Sequence, residues 1–253
     1  MKRLRMFSAC LLLISGVSQA AVTVSGDVAN PGPVELPPGG RLLDVISVAQ
    51  PNAEGYWLAG VLLRQSLLEE QARLKAGVLF DLDVLHRMAS LFDRPDRAAL
   101  ALRLAEQVQQ MPVTGRQVAD LDPVAVEVGF ARNIRLDDGD RLIYPTRVDE
   151  VQVLGAVADT CHVPYQPLLE AREYLDICAP LDDAEADYLW LIQPNGAVRR
   201  VGTAHWNRES GHFPVAGSKI LVPVKNDDLD PPLPELNQQL AELIATQLAE
   251  VVR

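Results

Sequence analysis

The chain has 253 residues, 48% of them apolar, and carries 23 Lys and Arg against 34 Asp and Glu, a formal net charge of −11. That apolar content supports a packed core, and the acidic balance argues against nucleic acid or anionic lipid as a partner. Beyond the first twenty residues no unbroken apolar run is long enough to span a bilayer, so no transmembrane segment is expected in the mature chain.

Residues 1–20, MKRLRMFSACLLLISGVSQA, read as a secretory signal peptide. Lys2, Arg3 and Arg5 form its basic start, Met6 to Val17 its apolar run, and Ser18 and Ala20 the small residues before cleavage. Cys10 has its apolar run after it, whereas a lipid-accepting cysteine needs that run in front. Without the leader's three basic residues the balance is 20 basic against 34 acidic, for an exported chain.

The first stretch after the leader, VTVSGDVANPGPV (Val22–Val34), reads as strand, turn and strand. GRLLDVISVAQ then has helical spacing, and YWLAGVLLRQ reads as a strand that begins with Tyr56 and Trp57. An aromatic pair there suits either the core or a platform for a sugar ring. From Leu67 to Leu91 apolar residues recur at helical spacing (Leu67, Leu74, Val78, Leu82, Leu85), with Gln71 interrupting the stripe. Gly77 weakens that helix by about 1 kcal/mol relative to Ala and makes a kink there conceivable. FDRPDR breaks it, Pro95 opens a second helix striped by Leu100, Leu104, Val108 and Met111, and Pro112 ends it. PVTGRQV follows, and GDRLIYPTR (Gly139–Arg147) closes the unit as a turn and strand.

The pattern then repeats. VQVLGAVADTCHV (Val151–Val163) aligns without gaps on Val22–Val34, keeping Val, Val, Gly, Val, Ala and Val in place. GSKILVPVK (Gly217–Lys225) aligns likewise on Gly139–Arg147. Between them, YQPLLEAREYLDIC is expected to be a helix and YLWLIQPNGAVRRVG a hairpin turning at Pro194–Gly196. The first copy has Pro-Gly-Pro where the second has Thr-Cys-His, so this loop is a strand connection and not a phosphate cradle. Gly26 to Gly139 spans 113 residues and Gly155 to Gly217 only 62, which marks residues 66–112 as a helical hairpin inserted in the first unit. KNDDLDPPLPE then reads as a linker. LNQQLAELIATQLAEVVR is an amphipathic helix with Leu236, Leu240, Leu243, Ile244, Leu248, Val251 and Val252 on one face. That face either folds back on the body or docks a partner; with Arg253 as its only basic residue it suits a membrane surface least.

The expected architecture is therefore α+β: two tandem β-grasp-like domains over 21–147 and 148–225, a hairpin inserted in the first, and a linker and amphipathic helix over 226–253. The paired opening and closing motifs resemble the soluble ligand-binding β-grasp (SLBB-type) repeats of Wza-type polysaccharide export proteins. Together with the leader, hairpin and terminal helix, the order of parts resembles the GfcC-like capsule biosynthesis family over essentially the whole mature chain. The resemblance implies a periplasmic accessory protein of capsular or extracellular polysaccharide production. It implies a binding or adaptor module without a defined catalytic reaction, and as partner a polysaccharide or an envelope protein of the secretion system. It also picks out Arg116 of the TGR motif, expected in a cleft between hairpin and sheet.

Motif chemistry adds little to this. His86, His162, His205 and His212 are scattered without metal-ligand spacing, and no cofactor motif is present. His205 and Trp206 suit a sugar stack or, at a strand end, packing. DDGD (Asp137–Asp140) reads as a turn; DDAEAD (Asp182–Asp187) lacks the glycine of a Ca²⁺ loop. A glycosidase acid pair is the alternative reading, since its members meet only in space. Arg116 suits a uronate carboxylate, a phosphate or a structural pair with an acid such as Asp120. Cys161 and Cys178, the two cysteines beyond the leader, form a disulfide in an oxidising compartment or stay as a buried free pair.

Overall fold

A computed structural model describes residues 20–53, 55–225 and 233–248. Most of the expected leader (residues 1–19), most of the expected linker, and Val251, Val252 and Arg253 lie outside the described residues. The elements in order are β1 (Ala21–Gly26), β2 (Gly32–Glu35), α1 (Leu42–Ala49), β3 (Val61–Leu63), α2 (Leu68–Leu91), α3 (Pro95–Gln110), β4 (Arg116–Gln117), α4 (Pro123–Glu127) and β5 (Arg141–Tyr144). The second half adds β6 (Glu150–Gly155), β7 (Cys161–Pro164), β8 (Tyr188–Ile192), β9 (Val198–Gly202), β10 (Lys219–Val222) and α5 (Leu236–Ala245).

These strands make two five-stranded mixed sheets with one topology. The first runs β2-β1-β5-β3-β4 and the second β7-β6-β10-β8-β9. In each, the opening hairpin is antiparallel and its first strand lies parallel to the closing strand. The glycine shared by the two copies has a physical reason. Gly26 and Gly155 have φ of 93° and 98°, and a Cβ on either would lie 2.0 or 2.2 Å from the carbonyl oxygen of Tyr144 or Val222. That oxygen accepts the next backbone N–H, from Asp27 or Ala156. A side chain there would break the junction of opening and closing strands.

The alternating valines of β1 and β6 point inward, with Val22, Val151 and Val153 fully buried. The first core gathers Val22, Val24, Leu42, Val45, Leu62, Leu121, Leu142 and Tyr144. The inserted hairpin does not join it. Val78, Leu82 and Leu85 of α2 and Leu100, Leu104 and Val108 of α3 belong to the second core, with β6, β8, β10 and α5. α2 runs unbroken past Gly77, which faces Gln239 of α5. Two charged contacts fix the arm there: Arg97, only 3% exposed, pairs with Asp183 at 2.9 Å, and Arg103 donates to the carbonyls of Val157 and Ala158.

Two expected elements differ, and a third is decided between its two readings. YQPLLEAREYLDIC holds only a 3-10 stretch, Ala171–Asp176. Leu168 takes a left-handed φ of 64°, and the Cys161–Cys178 disulfide ties the far end to β7, leaving no room for a longer helix. YWLAGVLLRQ is a strand only over Val61–Leu63. Trp57–Ala59 is a 3-10 turn, because Gly60 sits tight against Leu121 and the Trp57 indole N–H donates to the Asn52 carbonyl at 3.0 Å. The amphipathic helix is not displayed for docking: Leu236 and Leu243 are fully buried, Leu240 is 2% exposed, and α5 packs on α2, β8 and β9. Its Asn237, also buried, accepts from the Val224 N–H and donates to the Val224 carbonyl, both at 2.9 Å, so it closes the backbone beyond β10 as a strand neighbour would.

Candidate functional site

The TGR turn is built first. Gln71, the interruption in the α2 stripe, is buried; its amide oxygen accepts from the Gly115 N–H and its NH2 donates to the Arg116 carbonyl, both at 2.8 Å. Gly115 has φ of 73°, and a Cβ would lie 2.2 Å from the Arg64 carbonyl oxygen. The turn is thus clamped between α2 and the end of β3. It sends Arg116 away from its own unit.

Arg116 is 6% exposed. Its Nη1 donates to the carbonyls of Ala245 (3.1 Å) and Gln247 (3.3 Å) at the end of α5, and its Nη2 to the Pro194 carbonyl in the β8–β9 turn. Its Nε has no protein partner. The expected acid pair is absent among the described residues: the Asp120 carboxylate instead accepts from the Asp122 N–H at 3.0 Å. Burial lowers the guanidinium to about 10, so it is charged at neutral pH. A cation against the last carbonyls of a helix is favoured by the helix dipole. One residue therefore joins the hairpin exit, the second sheet's turn and α5.

Above this joint lies an open cleft of about 620 Å³. Gln107, Gln110 and Met111 come from the end of α3, Gln152 and Leu154 from β6, Ser218 and Lys219 from the start of β10, and Ile244, Gln247 and Leu248 from the end of α5. Thr114 Oγ1 donates to the Thr246 carbonyl at 2.9 Å, and the Gln247 amide donates to the Pro112 carbonyl at 3.1 Å, so hairpin and helix fix each other at the lip. A void of about 10 Å³ lined by Arg116 adjoins the cleft and shares Gly217, Lys219, Ile244 and Gln247 with it. The lining is largely apolar, with amide and hydroxyl groups and one lysine, Lys219. Glu150, the single carboxylate of the lining among the described residues, is held 2.7 Å from His162 Nδ1. A cleft of this size and character suits a multi-hydroxyl ligand.

The other expected residues lie elsewhere. The Tyr56 hydroxyl donates to the Ala216 carbonyl at 2.6 Å, and burial pushes its pKa up. The Arg147 guanidinium sits 5.3 Å from the Tyr56 ring and 5.8 Å from the Tyr165 ring, so Tyr56 joins the two units beside their connection. Trp57 packs on the first core. Neither lines the cleft. Of the α5 residues, Leu236, Leu240 and Leu243 are core, while Leu248, 37% exposed, reaches the lip. Cys161 and Cys178 form the disulfide, clear of the cleft lining. Residues missed by sequence reading are the glutamines of the lining and Gln71. Only Gln71 carried a signal, a polar residue at an apolar stripe position. Asp140 of the DDGD turn is buried and pairs with Arg64 at 2.9 Å. Among the described residues no three His, Cys, Asp or Glu group to hold a metal ion, and no helix is long and apolar enough to cross a membrane.

Comparison with known proteins agrees with this two-unit architecture. Residues 18–146 match the family described as capsule biosynthesis GfcC, N-terminal, and residues 159–249 that described as capsule biosynthesis GfcC C-terminal. The uncharacterized protein YjbG of Escherichia coli K12 is 28% identical over 217 residues, covering 84% of this chain and 85% of the relative. With two matched segments that together cover most of the chain, and two sheets to correspond to them, the protein belongs to the GfcC capsule biosynthesis family.

Proposed function

We propose that this chain is a periplasmic accessory protein of capsular or extracellular polysaccharide production, exported by its leader. In this reading it acts as a non-catalytic binding or adaptor module built from two β-grasp units of the SLBB type. Family membership supports the pathway. The disulfide supports an oxidising compartment. The shared strand order, with an opening hairpin and a parallel closing strand, supports the β-grasp reading.

The observation that carries the binding role is the amide-lined cleft at the Arg116 joint. Glutamine amides donate to and accept from sugar hydroxyls, and Leu154, Ile244 and Met111 take the apolar faces of the rings. Hydrolysis by the usual route needs two carboxylates flanking the scissile bond, and among the described residues the cleft lining offers Glu150 alone. Gln107 is exposed at the lip, so Gln107→Trp should fill the cleft without disturbing the core. In affinity electrophoresis through gels containing the cell's own polysaccharide, the wild-type protein should be retarded and Gln107→Trp much less so. Recovered polymer should keep its length; reproducible shortening would favour a glycan-modifying enzyme instead.

A further inference from the structure

A second feature of the molecule lies away from the cleft, at the free edge of the second sheet. β9 is an outer strand of its sheet, and its sequence VRRVG continues into TAHWNR. Trp206 there is 75% exposed. It is not packed at the strand end, although a buried indole is the commoner arrangement for so large an apolar surface. Nor is the segment loosely held. The Thr203 N–H donates to the Asp187 carbonyl at 2.9 Å, the Asn207 amide donates to the same carbonyl at 2.8 Å, and the Glu209 N–H donates to the Gly202 carbonyl at 3.1 Å. A Cβ on Gly202 would lie 2.1 Å from the Asn207 carbonyl oxygen, so strand end and turn fit closely. The turn holds an indole outward on a fixed backbone.

The charge around it runs against the rest of the molecule. The chain is strongly acidic, yet Arg199 and Arg200 on β9 and Arg208 in the turn that follows it are all exposed. Arg199 and Arg208 form no ion pair among the described residues. The Arg200 guanidinium lies 3.8 Å from the Tyr188 ring centre and forms no ion pair among the described residues. Arg199 and Arg200 are successive on an edge strand, so their side chains leave on opposite faces and flank the edge. The acids against the turn are Glu209, held 3.0 Å from His212, and the half-buried Asp187 just before β8.

We infer that the β9 edge and its Trp206 turn form a second, surface-exposed glycan site that takes an anionic polysaccharide, with uronate sugars stacking on Trp206 and their carboxylates meeting Arg199, Arg200 and Arg208. This rests on the reading of the protein as a polysaccharide-binding module, and extends it with a ligand class and a second contact point. An indole offers an apolar plane to a sugar ring, and guanidinium forks match carboxylates in pairs. A bilayer is the poorer occupant. One aromatic residue gives a bilayer little anchoring.

The test uses the whole mature protein, titrated calorimetrically with an oligogalacturonate and with a neutral malto-oligosaccharide of the same length. The uronate should bind, the neutral chain should bind at least about tenfold more weakly, and Trp206→Ala should lose about tenfold or more in uronate affinity. Arg199→Gln combined with Arg208→Gln should flatten the salt dependence of binding. All these residues are exposed, so unchanged circular dichroism is expected of each variant. Equal affinity of wild type and Trp206→Ala, equal affinity for both sugars, no uronate binding, or Trp206-dependent binding to phosphatidylglycerol vesicles in place of the uronate would each overturn the inference. Gln107→Trp separates it from the cleft reading. If that variant loses binding to the cell's own polysaccharide while Trp206→Ala keeps uronate affinity, the cleft stands and the edge site falls. The reverse pattern keeps the edge site and removes the cleft.

Discussion

Arg116 was legible in the sequence as a residue of interest, but its partners were not. They are carbonyl oxygens of Pro194, Ala245 and Gln247, and a backbone acceptor leaves no mark on side-chain identity. The acid nearest in sequence, Asp120, bonds its own turn. Because the guanidinium is buried and multiply bonded, Arg116→Ala should lower stability by about 3 kcal/mol, seen as a lower urea midpoint, with Arg116→Lys recovering part of the loss. A midpoint within error of wild type would mean that the joint contributes nothing. The disulfide belongs to the same scale. Its cysteines were visible as a pair, and their sequence separation of 17 implies about 3 kcal/mol from restriction of the unfolded chain. Cys161→Ser with Cys178→Ser should lose about that much.

At the level of elements, α5 shows where pattern reading stops. Its apolar stripe was plain, but a stripe says only that one face must be covered and not what covers it. Burial of Leu236, Leu240 and Leu243 against α2 and the second sheet answers that, and changes the expectation for truncation. Removing residues 236–253 should open the second core and make α2 and α3 sensitive to protease; Leu240→Ala alone should cost about 3 kcal/mol. A truncated chain that resisted protease and melted like the parent would contradict this placement. The short 3-10 segment at Ala171–Asp176 teaches a similar lesson. The leucines and glutamates of residues 168–175 favour a helix locally, while the left-handed Leu168 and the disulfide set limits that propensity does not see.

For the whole molecule, the duplication was readable because the Gly and Val frame reflects a constraint repeated in both sheets, the close approach at Gly26 and Gly155. The unequal spacing between copies revealed the hairpin. Its destination stayed hidden, because helices that begin in the first unit bury their stripes in the second core. Two units so interlocked should unfold together. Trp57 packs on the first core and Trp190 on the second, so single-tryptophan variants carrying one or the other should report coincident urea transitions. Two separated transitions would mean that the hairpin, Arg116 and Tyr56 do not couple the units.

The cleft exists because of this interlocking: α3, the second sheet and the end of α5 each contribute part of its wall. The most direct measurement is hydrogen exchange of the whole protein with and without the polysaccharide purified from its own cells. Binding in the cleft predicts slower exchange over residues 107–114, 150–154 and 217–219, with little change in α1 and β2. Unchanged exchange over those three segments at saturating polysaccharide would contradict it.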